Sequence, residues 1–168
     1  METEQEKRIK EPYLSLLRKL TSVLLENLGE KLISVVVYGS VARGEAREDS
    51  DIDLLIIARD LPKRRLKRQD LFIEFEKSLN IEEIEAKGYR IDFSPILMTQ
   101  EEASKMRPLY LDMVEDAVIF FDRDGFFSGI LEKLRKRLNE LGAERVRLGK
   151  KWYWRLKRDY KFGEVIEI

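Results

Sequence analysis

The chain has 168 residues, with 32 Lys and Arg against 32 Asp and Glu, and neither cysteine nor histidine. Zero net charge argues against a polycation that coats nucleic acid by charge alone, and the missing Cys and His exclude disulfides, thiol nucleophiles, Cys/His zinc sites and histidine acid–base catalysis. With 43% hydrophobic residues a packed core is expected, and any chemistry must run on carboxylates, hydroxyls, Lys, Arg, Tyr or backbone amides.

Residues 1–10 are dominated by charge and lack an apolar core, so no signal peptide is expected. No window approaches 18 uncharged apolar residues, so no membrane-spanning helix is expected either, and the expected location is cytoplasmic. Residues 12–28 place Tyr13, Leu14, Leu16, Leu17, Leu20, Val23, Leu24 and Leu28 at helical spacing before Gly29, which predicts an amphipathic helix. Leu32 to Tyr38 is a β-branched apolar run of strand length, predicted to be buried on both faces. Gly39-Ser40 ends it, and Val41 to Ala46 predicts a short helix. Asp51 to Ala58 reads as a second strand with two aspartates at its leading end.

Leu61-Pro62 breaks the chain, and residues 64–79 carry Leu66, Leu71, Phe72, Phe75 and Leu79 on one helical face. Residues 81–86 extend that helix or add a turn. Tyr89 to Leu97 is the third predicted strand; Pro95 cannot donate to a ladder, which puts the strand at an edge. Short helices are predicted over 100–105 and 108–115, a fourth strand over 117–121, a turn at Asp122 to Gly125, and an amphipathic helix over 126–141. Residues 144–168 interleave Lys and Arg with Trp152, Tyr153, Trp154, Tyr160 and Phe162 without a clean period. This segment reads as a basic aromatic arm or an extension packed on the body, and the terminal run Val165 to Ile168 as an added strand or a groove-docking segment. Residues 133–168 hold 12 Lys and Arg against 5 Asp and Glu, so a basic end follows an acidic body. The 38% charged content, with few Asn and Gln, resembles the composition of thermophile proteins.

The informative stretch is Val37-Tyr38-Gly39-Ser40, ten residues, then Asp51-Ile52-Asp53. A buried strand that ends in Gly-Ser and turns into a helix offers close backbone approach, a hydroxyl and free N–H groups to a phosphate. Asp51 and Asp53 lie two apart on a strand, so both carboxylates point to one side and suit Mg²⁺, which prefers oxygen ligands. Asp92 stands between Ile91 and Phe93 in the next strand, where an acid is costly unless paired or metal-bound. Arg43 is placed to meet a triphosphate or to pair with Glu45 or Glu48. Lys63, Arg64, Arg65, Lys67 and Arg68 read as a solvated helix start, with a role in substrate binding as the alternative. Trp152, Tyr153 and Trp154 read as packing on the body or as a homodimer contact, with base stacking as the alternative.

The phrase Gly39-Ser40-Val41-Ala42-Arg43-Gly44 followed by Ser50-Asp51-Ile52-Asp53-Leu54, with the later Asp92, resembles the nucleotidyltransferase superfamily typified by DNA polymerase beta, and within it the minimal nucleotidyltransferases of archaea and bacteria. The resemblance covers about residues 32–97. A weaker likeness to longer archaeal members runs through Leu111 to Asp116 and Asp122 to Phe127. It implies an α+β fold, a small mixed sheet of about four to five strands flanked by helices. Residues 1–130 would be the nucleotidyltransferase domain, and 131–168 a helix plus basic aromatic extension on the same domain. It implies two Mg²⁺ ions, replaceable by Mn²⁺, bridged by Asp51 and Asp53, one of them also held by Asp92, which doubles as the base. Gly39, Ser40 and Arg43 would hold a nucleoside triphosphate, with ATP as the default donor. The implied reaction moves AMP to an acceptor hydroxyl whose identity the sequence leaves open. Two alternatives stand beside it: an antitoxin-like module that adenylylates a small helical protein partner, and an RNA-modifying enzyme using its basic end.

Overall fold

The computed structural model describes residues 2–168. Helix α1 (Tyr13–Leu28) is followed by strand β1 (Leu32–Tyr38), the short helix α2 (Gly39–Ala42) and strand β2 (Asp51–Ala58). Helices α3 (Arg65–Glu76) and α4 (Ile81–Glu85) lead to strand β3 (Asp92–Met98). Helices α5 (Gln100–Ser104) and α6 (Tyr110–Met113), strand β4 (Val118–Asp122) and helix α7 (Phe126–Leu141) complete the body. Strands β5 (Glu144–Leu148) and β6 (Lys151–Arg155) follow as a separate hairpin.

The four body strands form one mixed sheet in the order β3-β2-β1-β4. β1 runs antiparallel to β2 and to β4, while β2 and β3 are parallel and are joined through α3 and α4, as a parallel pair requires. Every residue of β1 is buried, as its unbroken apolar run predicts for a strand covered on both faces. β3, which carries Pro95, is an edge strand as expected.

Two apolar clusters sandwich the sheet. On one face Leu17, Leu20 and Leu24 of α1, one helical turn apart, meet Phe72 and Phe75 of α3 over Val35, Val37, Leu54 and Ile56. On the other, Tyr110, Met113, Phe127, Leu131 and Leu134 of α6 and α7 lie over Ile33, Val36, Leu55 and Ile57. A fully buried leucine in such a core contributes about 1.5–3 kcal/mol over an exposed one. Asp122 closes β4 and caps α7: its carboxylate accepts the N–H groups of Phe127 and Ser128 at 2.9 Å each and the Ser34 hydroxyl at 2.6 Å.

The structure corrects several details. β3 starts at Asp92 rather than Tyr89, because Arg90 spends its N–H on the carbonyl of Glu48 at 2.9 Å. The helix after β1 starts at Gly39, not Val41. Val165 to Ile168 form no strand, and Val165 stays exposed while Ile168 packs against the α6/α7 side. Residues 144–155 are a two-stranded hairpin; the weak amphipathic pattern of a ladder with Arg on one strand and Trp on the other hid it.

Arg68 is the largest departure within the basic cluster. It is buried rather than solvated. Its guanidinium donates to the carbonyls of Pro62 at 2.6 Å and Leu97 at 3.0 Å, and grips the Glu102 carboxylate at 2.6 and 3.0 Å. Glu102 also forms a reciprocal cap with Thr99 at the start of α5. The Arg68 hydrogen bonds hold the Glu102 carboxyl down to about 2, against 4.5 when free. A lowered carboxyl favours the folded state above the free value, and this share is lost as pH falls from about 4.5 toward about 2. Arg68→Ala is therefore expected to lower stability by about 2 kcal/mol at neutral pH, the worth of charge-assisted bonds to one group. In urea titrations the gap from the parent chain should narrow on acidification; a gap independent of pH would remove Glu102 from the account.

Candidate active site

The central strand β1 ends at Tyr38 and turns immediately into α2. Gly39 takes φ +74°, a left-handed value open to glycine. A Cβ at Gly39 would overlap the Asp53 carboxylate oxygen and sit 3.2 Å from its carbon, so only the absence of a side chain lets backbone and acid meet there. Asp53 lies opposite Tyr38 in the β1–β2 register.

The sheet then sets which acids share a face. In the parallel β2–β3 ladder Asp51 is the register partner of Asp92, and Asp53 of Ser94. Partners in a ladder point to one side, and residues two apart along a strand do too. Asp51, Asp53 and Asp92 therefore stand on the side of Leu55 and Ile57, the face covered by α6 and α7. The sequence-derived trio is on one face, as expected. Asp92 is not the confined acid that its apolar neighbours suggested: it begins its strand, its side chain is 52% exposed, and Arg90 lies 3.4 Å from it.

The ten residues between Ser40 and Asp51 form a loop tied to Tyr13 and Arg90 and closed on itself between Arg47 and Ser50. The Tyr13 hydroxyl donates to the Arg47 carbonyl at 2.7 Å, Arg47 N–H to Ser50 Oγ at 2.8 Å, and Arg90 N–H to the Glu48 carbonyl at 2.9 Å. Arg43, at the end of α2, makes ion pairs with Glu45 at 3.0 Å and Asp116 at 4.0 Å.

Burial raises the carboxyl of half-buried Asp53, and the charges of Asp51 and Asp112 raise it further while Arg43 opposes them. Tyr38 is pushed up to about 12, first by burial and then by Asp53 and Asp112, so it remains a neutral phenol. Asp112 of α6 is raised by burial, with Arg145 and Arg43 counteracting and Asp116 adding to the rise. Asp51, Asp53, Asp112 and Asp116 thus act on one another in a half-buried spot, with Arg43 and Arg145 in opposition.

An all-oxygen donor set of this kind fits a divalent cation such as Mg²⁺. Asp51 and Asp53 would hold it, with Asp92 beside them in the ladder. Among the described residues no three acidic side chains already converge at ligand distance, since the Asp92 carboxylate is turned to Arg90.

Sequence reasoning did not single out Asp112, Asp116 or Arg145. The Arg145 guanidinium holds Asp116 at 2.7 Å and Glu115 at 3.1 Å and lies 3.8 Å from the centre of the Trp152 ring. Trp154 donates its indole N–H to the Leu111 carbonyl at 2.9 Å. These contacts dock the hairpin on α6, next to the acids. Their signal in the sequence was the acid run Asp112, Glu115, Asp116, read only as a likeness to longer proteins.

A family model described as "Nucleotidyltransferase domain" matches residues 17–120, which include β1, α2, β2 and β3. A protein of Methanocaldococcus jannaschii, the candidate protein adenylyltransferase MJ1305, is 34% identical over 133 residues, covering 76% of this chain and 84% of its own. A second from the same organism, the candidate protein adenylyltransferase MJ0141, is 32% identical over 89 residues, covering 53% and 78%. A crystal structure of a toxin–antitoxin with AMP-PNP superposes with a TM-score of 0.47 and 19% identity, covering 74% of this chain and 90% of that one.

Proposed function

Because the chain belongs to the nucleotidyltransferase domain family and is a nucleotidyltransferase, we propose that it moves AMP from ATP to a protein hydroxyl, using Asp51, Asp53 and Asp92. The observation that carries the site is the contact of side-chain-free Gly39 with the Asp53 carboxylate, beside Asp51 on the same face. The names of the two curated relatives support ATP as donor and protein as acceptor.

In the transfer, the acceptor oxygen attacks the α-phosphorus, the bond from that phosphorus to the bridging oxygen breaks, and pyrophosphate leaves. Asp51 and Asp53 would hold a divalent cation, which would supply charge to polarise the phosphoryl oxygens. Gly39 and Ser40 admit the phosphate chain close to the backbone and offer N–H and hydroxyl donors. Asp92, partly exposed beside Asp51, receives the proton of the acceptor hydroxyl. Tyr38, in register with Asp53, remains a neutral phenol at physiological pH.

The test is incubation of the chain with each of four α-labelled nucleoside triphosphates, Mg²⁺ and cell extract. Label from ATP is expected in a protein band that resists nuclease. Label in nuclease-sensitive material would replace the protein acceptor by RNA, and label from another nucleotide would replace the donor.

A further inference from the structure

Beyond Arg43 lies a cleft of about 570 Å³, inside the span of roughly 300–1,000 Å³ usual for small-molecule sites. One wall is the end of α2; the other is the inner face of the β5–β6 hairpin. In the hairpin ladder Arg147 is the register partner of Trp152, and Arg145 of Trp154, so all four share one face. That face looks toward α6, as the Trp154 and Arg145 contacts show. Lys150 sits in the two-residue connection at the hairpin tip and also lines the cleft.

The charges here are unevenly spent. Glu115 and Asp116 are engaged by Arg145, and Glu45 by Arg43. Arg147 and Lys150 make no ion pair among the described residues, although both line the cleft. What remains unsatisfied is therefore positive, in a chain of zero net charge. Arg43 joins the two regions: its backbone N–H donates to the carbonyl of Gly39 at 3.2 Å on one side, and its side chain lines the cleft on the other.

We propose that this cleft seats the polyphosphate of the nucleoside triphosphate, with Arg147 and Lys150 meeting the β- and γ-phosphates. The assignment rests on the nucleotidyltransferase reading and deepens it. A compact ligand with several negative charges matches two free cations and the nearby guanidinium of Arg43 better than a single carboxylate does. Arg145, tied to two acids and stacked on Trp152, fixes the hairpin rather than the ligand. The hairpin then makes the site select a triphosphate over a monophosphate, because AMP reaches the acid pair without touching it.

The experiment is isothermal titration of the full chain in Mg²⁺ with ATP, AMP and pyrophosphate. It compares the parent, Arg147→Ala with Lys150→Ala, and an outward-facing control, Lys151→Ala with Arg155→Ala. The inward pair is expected to weaken ATP and pyrophosphate at least about tenfold each while AMP stays within about threefold. The control should stay within about threefold for all three ligands, as expected of exposed charges. The charge-conserving pair Arg147→Lys with Lys150→Arg should retain most of the ATP affinity, which separates lost charge from a damaged hairpin. Unchanged ATP affinity in the inward pair, an equal loss for AMP, or an equal loss in the control overturns the assignment. So does a loss for pyrophosphate alone, which would mark an anion site off the reaction path. A parent chain that binds no nucleotide brings down the underlying reading as well, whereas a parent that binds ATP beside an unaffected double variant brings down the hairpin's role only.

Discussion

Asparagine at both Asp51 and Asp53 is expected to reduce AMP transfer by at least about 10⁴-fold, since Asp53 lies against Gly39 and Asp51 stands two residues before it on the same face, where the pair would hold the divalent cation. Nucleotide and Mg²⁺ together should raise the melting temperature of the parent chain, by linkage of about 2.7 kcal/mol at a hundredfold excess over Kd, and this shift should vanish in the double variant. The apo protein should behave in the opposite sense. Folding raises the Asp53 carboxyl, so its ionised form opposes the fold at neutral pH. Asparagine removes that opposition, and the unliganded variant should melt at or above the parent temperature. A variant that loses transfer through a lower melting point would show that the acids hold the fold, not the chemistry.

The second large effect belongs to Asp92→Asn. Transfer should drop by at least about 10²-fold, the usual worth of a positioned base. ATP affinity should change by less than about tenfold, or 1.4 kcal/mol, because Gly39, Ser40 and the other two acids are untouched. The side chain is exposed and its neighbour is Arg90, so the fold should be unaffected. Binding and transfer falling together would assign Asp92 to holding the nucleotide and leave the base unidentified.

The sheet and its acids were legible because their signals are local. An unbroken β-branched run, a Gly-Ser stop and two aspartates at alternate positions each carry their meaning within a few residues. Parallel pairing then puts Asp92 beside Asp51, which follows once both strands are recognised. Arg68 was not legible, because its burial depends on Glu102 and the carbonyl of Leu97, which lie about thirty positions away. Asp112 looked like one more surface acid of a short helix; only the packing of α6 over Tyr38 brings its charge to Asp53. The hairpin escaped for a different reason. Its inner face sets Arg145 and Arg147 of β5 against Trp154 and Trp152 of β6, so the apolar half of the period of two appears on one strand only.

Trp152 and Trp154 are the chain's only tryptophans, and both belong to β6. The tryptophan emission of this protein therefore comes from a single strand that is attached to the body by a handful of side-chain contacts. Heated or perturbed samples followed by that emission report the lifting of one hairpin, while far-ultraviolet dichroism follows the backbone of the whole chain. If local opening precedes global melting, the two curves separate, and their separation measures how much less firmly the hairpin is held than the sheet beneath it.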